Sequence, residues 1–370
     1  MNIEFIQSLN EAITGRTPHP EDAIFINSAA AAQQLASLKT LIANPANITI
    51  KWDGYPAIIF GRLSNGKIGM ADKYMFDRGV LVTGPEEWQD YDAKKASGGL
   101  RGTLYNAAAA LWPGLDAATV GPGFYWADLM YAGKLTPQNG VYAFKPNLVE
   151  YQVDIKSPLG KIIGNSVGGV VVHQYFQNIG EQPVQWNGQG LENVPGGVAI
   201  ISPTAGNKFT LKTPVQQERA ADASIQKYGK EVDSLLAPLP QTTRDKIKTY
   251  FNKRITGQTN QELHDWLQTQ ISGKQFNYLV GPNYEGVLFM QNKNGEVTES
   301  VGYQGLKSIW NSMYSFKQNL AKQLANQVKG IKEYINGVPA GEGFIFPTQF
   351  GLVKIVDREV FSAANFAKMG

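Results

Sequence analysis

At residue 48 the chain changes texture. Before it, FIQSLNEAI and AAAAQQLASLKTLIA carry apolar residues at helical spacing, so residues 1–45 read as a helical segment. After it come short β-prone runs closed by glycine: ITIKW, AIIFGR, KIGMA, GFYWADLMYAG, NLVEYQVDI and GGVVVHQYF. Such runs are too short and too rich in glycine and β-branched residues to propagate as helices, and NGK at 65–67 supplies a hairpin turn between two of them. The pattern predicts an α+β chain built on twisted antiparallel sheets. No Rossmann-type glycine fingerprint or P-loop occurs, so phosphate would be held by side chains.

Helical texture returns at 85–112, led by the acidic PEEWQDYDAKK, and strands are expected near 196–202 and 207–212. A polar helical block follows at 214–272, broken at APLPQTT, with the basic and aromatic RDKIKTYFNKR in its middle. NYEGVLFMQNKNGEVTESV reads as a hairpin around NKNG. A long amphipathic helix is expected from about 305 to 335, with Lys307, Lys317, Lys322, Lys329 and Lys332 against a lone Glu333. GEGFIF, a turn and GLVKIVD close the chain. The expected organisation is a helical segment at 1–45, a sheet domain from 46–213 and 274–370, and a helical insertion at 214–273.

The 370 residues are 43% hydrophobic and 18% charged, with a formal charge of +3, so any nucleic-acid surface must be local. There is no cysteine, which excludes disulfides and thiolate chemistry, and only three histidines (His19, His173, His264), far apart in sequence. No apolar stretch is long enough to span a bilayer, and the acidic N-terminus does not fit a signal peptide; a cytoplasmic, non-membrane protein is expected.

Within ITIKWDG, strand alternation would put Thr49, Lys51 and Asp53 on one face and Ile48 and Ile50 on the other, toward a core. Asp128 lies inside the apolar FYWADLMY, where an unpaired carboxylate is expensive. Glu285 and Glu342 each open a Glu-Gly-apolar run, EGVLF and EGFIF, and Lys354 is embedded in GLVKIVD. Lys51-x-Asp53-Gly54, an acidic strand, a Glu-Gly strand and a lysine strand, in that order, resemble the motif ladder of the covalent nucleotidyltransferases. That superfamily comprises the ATP-dependent DNA and RNA ligases and the mRNA capping enzymes. KWDG followed by PAIIFG, with VDREVFSAANF at the end, is most similar to divergent ligase-like proteins of tailed bacteriophages, which would place the protein in the host cytoplasm.

The resemblance implies an ATP-grasp-like nucleotidyltransferase domain in which Lys51 attacks the α-phosphate of ATP and forms lysyl-AMP. It implies Lys354 as a second catalytic cation, and Asp53, Gly54, Asp128 and Glu342 at the nucleotide, with Glu285 as the alternative to Glu342. Asp128 and Glu342 would serve Mg²⁺ or Mn²⁺, which take oxygen ligands. The family usually has glutamate where Asp128 stands, and often arginine where Pro56 stands; Arg62, Lys73 or Arg78 would replace that arginine. Tyr151 is the candidate to stack on adenine, and Arg358 suits a phosphate or a carboxylate equally. Only sixteen residues follow Lys354, which leaves no room for the OB-fold that DNA ligases and capping enzymes append. The expected activity is therefore joining of 5′-phosphate and 3′-hydroxyl ends, RNA before DNA. Tyr250, Phe251, Trp310, Tyr314 and Phe316 among basic residues are candidates to stack bases. Transfer of AMP to another acceptor, or binding of nucleic-acid ends without turnover, are the alternatives, and oligomeric state is left open.

Overall fold

Gly66, at φ +81°, closes the tight turn that NGK predicts. It joins β1 (Ala57–Arg62) to β2 (Ile68–Asp72) in antiparallel register, with Gly61 opposite Gly69. The structure is a computed structural model describing residues 19–93, 101–281, 287–348 and 351–361. It is mixed α+β and divides into two units, one formed by residues 50–207 and 328–342, the other by 17–49, 208–327 and 343–370.

The first unit continues with β3 (Gly123–Ala132), β4 (Val141–Phe144), β5 (Glu150–Asp154), β6 (Gly168–Phe176), β7 (Val184–Gln185) and β8 (Val198–Ile201). It ends with β9 (Ile331–Ile335) and β10 (Val338–Pro339). One sheet runs β2-β1-β3-β6-β7, with β8 parallel to β6; a second, antiparallel sheet runs β10-β9-β5-β4. The helix Arg101–Ala118 lays Ala108, Leu111, Trp112, Leu115 and Ala118 into the core with Ile58, Phe60 and Val170, the spacing of one helical face.

In the second unit the helices Val215–Leu236 and Val301–Ala325 pack side by side, with Ser28–Ala43 against the first of them. Gly302 and Gly305 lie against Leu235 and Tyr228, where any side chain would hold the helices apart. A hairpin of β11 (Phe344–Thr348) and β12 (Gly351–Ile355) pairs Ile345 with Lys354.

Three expectations change. The helical block at 214–273 is not a separate insertion, because its first helix packs along Val301–Ala325 within one unit. Residues 207–212 form no strand: Gln327 and Gln323 side chains accept the Thr210 and Lys212 N–H groups at 2.9 Å each, taking the place of a strand partner. The helix expected over 305–335 stops at Ala325, and after Gly330, at φ +76°, IKEYI runs as β9. Among the described residues no helix is long and apolar enough to cross a membrane.

Candidate functional site

Thr49–Ile50 is a strand of only two residues, so Lys51 to Gly54 follow no strand alternation. The Ile50 N–H and the Trp52 indole N–H both donate to the Pro203 carbonyl, at 3.0 and 3.1 Å. Ile48 and Ile50 are buried, as expected. Trp52 is buried as well and packs on Tyr151, ring centroids 4.9 Å apart. Lys51 emerges half-buried between Ile50 and Trp52.

Its ammonium pairs with the carboxylate of Glu342, 291 residues away in sequence and within the same unit. Glu342 precedes β11 rather than lying in it, so it has no place in the register opposite Lys354. Glu285, the alternative, lies outside the described residues.

Asp53 is buried and its carboxylate is held by three donors. Asn147 Nδ2 and the Val149 N–H lie at 2.9 Å and the Leu148 N–H at 2.6 Å. Its own N–H donates to the Tyr151 hydroxyl at 2.6 Å. Asp53 thus ties the Lys51 segment to the β4–β5 loop. Tyr151 is fully buried between Trp52 and Phe144, so its ring is core and not a platform for adenine. Burial, and then the nearby Glu333 carboxylate, push its hydroxyl well above the ordinary tyrosine range.

Gly54 passes against Asp128: a Cβ there would overlap the Asp128 Cβ. The Tyr55 N–H bonds to the Leu129 carbonyl and the Leu129 N–H to that of Pro56, both at 3.0 Å, extending the β1–β3 pairing past Ala57 and Asp128. Gly54 is therefore needed for a close approach within the protein.

Asp128 Oδ2 and His173 Nε2 are hydrogen-bonded at 3.0 Å, both side chains partly exposed. The reason lies in the β3–β6 ladder. Trp126 pairs Gln174 and Ala127 pairs Val172, which leaves His173 as the extra residue of a β-bulge. A second shift leaves Met130 unpaired two residues beyond Asp128. Bulges re-aim side chains, and here they bring together two residues whose sequence positions gave no sign of contact.

Glu333 was legible only as a helix surface residue. On β9 it stands directly opposite Tyr151, and the Ala340 N–H returns to its carbonyl at 3.0 Å. Burial, then repulsion from Asp53, raise its carboxyl to about 7, with Lys51 opposing.

Several candidates have other work. Arg62 is five residues along β1 from the Ala57–Asp128 pair, roughly 17 Å away at strand rise. Its guanidinium binds the Asp116 side chain at 2.5 Å and the Asp116 and Thr119 carbonyls at 2.7 Å; it closes a helix C-terminus. Lys73 leaves the sheet after Asp72, which is paired with Ile58, at the end that carries Asp128, and is partly exposed. Arg78 is exposed and stacks over Tyr74 at 3.2 Å. Lys354 belongs to the second unit, where its ammonium lies 5.7 Å from the Phe361 ring. There Arg358 binds carboxylates, Glu21 at 2.9 Å and Asp22 at 3.0 Å. Tyr250, Phe251, Trp310 and Phe316 are buried in that unit, which takes them out of base stacking.

Among the described residues no three His, Asp or Glu side chains gather as a metal cage. Of the two carboxylates expected to serve a Mg²⁺ or Mn²⁺ ion, Glu342 is paired with Lys51 and Asp128 is hydrogen-bonded to His173. No curated protein and no solved structure matches the sequence. A family match does, over residues 17–369, and the chain belongs to DUF6267, a family of unknown function.

Proposed function

We propose that the chain is an ATP-dependent polynucleotide ligase that works through lysyl-AMP at Lys51, with RNA ends favoured over DNA. The observation that carries this reading is the meeting of Lys51, Asp53, Gly54, Asp128 and Glu342 in one unit, although they span residues 51 to 342. In the reaction the Lys51 amine forms an N–P bond to the α-phosphorus while the bond to the β-phosphate oxygen breaks and pyrophosphate leaves. A 5′-phosphate oxygen then takes the AMP from Lys51, and a 3′-hydroxyl displaces AMP to form the phosphodiester. The Glu342 pair aims the amine, and the three donors on Asp53 fix the backbone behind it. A bound divalent ion would supply positive charge to the triphosphate. One observation favours a second reading, AMP transfer to an acceptor other than a nucleic-acid end: Tyr250, Phe251, Trp310 and Phe316, four of the five aromatics expected to stack bases, are buried.

The test is to incubate the protein with Mg²⁺ and ATP labelled at the α-phosphate. Protein-bound label that survives denaturation is expected, and Lys51→Ala is expected to remove it. Label that then moves to the 5′-phosphate of a nicked duplex or single strand supports the ligase, and label that never leaves for any nucleic-acid end supports the second reading. Absence of a Lys51-dependent adduct with ATP or any other nucleoside triphosphate, in protein freed of bound AMP, overturns both.

A further inference from the structure

Three carboxylates belong to the chain segments that meet near Lys51, and they are not equivalent. Glu342 is its ion-pair partner. Asp53 has its carboxylate committed to Asn147, Leu148 and Val149. Glu333 is different. Opposed residues of an antiparallel pair share a face, so Glu333, paired with Tyr151, points to the side where the Tyr151 hydroxyl receives the Asp53 N–H. A Cβ on Gly341 would overlap the Glu333 Oε2, so this carboxylate also lies against the backbone that leads directly into Glu342. Two chain segments thus bracket it, one carrying Lys51 and the other carrying the partner of Lys51.

Resting on the adenylation reading, we propose that Glu333 is the proton acceptor for Lys51. An ammonium has no lone pair, so a proton must leave before attack. One proton passes from the Lys51 ammonium to the Glu333 carboxylate, directly or through one water, giving a neutral amine and a neutral acid. The amine lone pair then forms the N–P bond of a nucleoside triphosphate as the α-P–O bond breaks and pyrophosphate departs with that electron pair. The second N–H proton, acidified by the new bond, leaves on the pyrophosphate. The groups facing Glu333 are Lys51 and Asp53 from the segment after Ile50, Tyr151 from β5, and the chain into Glu342. A carboxyl titrating near 7 is matched to this task at neutral pH.

The experiment is single-turnover labelling of the full chain with α-phosphate-labelled ATP and Mg²⁺ between about pH 5.5 and about pH 9.5. The wild-type rate is expected to rise with a bend near 7 and then level off. Glu333→Gln is expected to be roughly 100-fold slower at neutral pH, to lose that bend, and to keep rising in alkali while ATP half-saturation is unchanged. Glu333→Asp is expected to recover part of the rate with a bend retained, and it carries the test should the Gln variant not fold. If the wild type labels and Glu333→Gln keeps the wild-type profile, the proton-acceptor role is overturned and the adenylation reading stands. If the wild type takes up no label, both fall.

Discussion

Gly54 is constrained by contact rather than by dihedral angle. A methyl at this position would overlap Asp128 and would press on Met130 Sδ at 3.0 Å and the Leu129 carbonyl at 3.2 Å. The last of these is sheet backbone and cannot yield. Gly54→Ala is expected to lower stability by about 1–3 kcal/mol, read as a fall in the urea midpoint. Glu333 makes a prediction of opposite sign. Its carboxyl is raised to about 7 in the fold, by burial first and Asp53 second, against roughly 4.3 in the unfolded chain. Between those values the folded state holds the proton that the unfolded state has lost, so stability falls as pH rises from about 4.3 to about 7. Glu333→Gln removes this penalty. The variant is expected to gain on the wild type in urea unfolding above neutrality, by up to about 4 kcal/mol, and to match it below about pH 4.3. An unchanged difference across that range would show that Glu333 does not titrate as its surroundings require.

At the scale of elements, what the sequence made legible was punctuation. NGK at 65–67 and NKNG at 292–295 both close hairpins, and the APLP of APLPQTT separates Val215–Leu236 from Gln241–Ile255. Lys51, Asp53, Asp128 and Glu342 were singled out by the order of the motifs they sit in, with the cost of a charged side chain in an apolar or strand-like setting as support, and the fold pairs Lys51 with Glu342. What escaped depends on pairing. His173 reaches Asp128 because β6 carries one extra residue at that point, and no local pattern in GGVVVHQYF announces a bulge created by its neighbour β3. Glu333 escaped because KGIKEYING continues a lysine-rich helical spacing. Only Gly330 at φ +76° and the partner strand β5 turn it into a strand. Tyr151 was misread for the converse reason: a strand aromatic beside charged residues looks like a ligand platform until Trp52 and Phe144 are seen on it.

Across the whole molecule, each unit is closed by charged groups drawn from distant parts of the chain. In the first, the Glu342–Lys51 pair holds the end of the unit to its beginning. In the second, Glu21 and Asp22 from the short helix Pro20–Phe25 meet Lys317 and Arg358, all four buried. Lys317 Nζ lies 2.5 Å from Glu21, and the Trp310 indole N–H donates to Asp22 at 3.2 Å. Burial alone would raise the Glu21 carboxyl, but Lys317, His19 and Arg358 outweigh it and hold the group below the usual carboxylate range. The stability this contributes is present above the unfolded carboxylate value, near 4.3, and is lost as pH falls below it. Removing one partner leaves the other charged and buried, so Lys317→Met alone is expected to cost about 3–5 kcal/mol, and Glu21→Gln a similar amount. The two together keep the balance of charge, because Arg358 retains Asp22 at 3.0 Å. The double variant is therefore expected to recover most of the loss, and its acid unfolding limb should be shallower than that of the wild type. Urea unfolding of the four proteins at neutral and acid pH closes the cycle, and strictly additive losses would mean that Lys317 and Glu21 are not the pair that closes this unit.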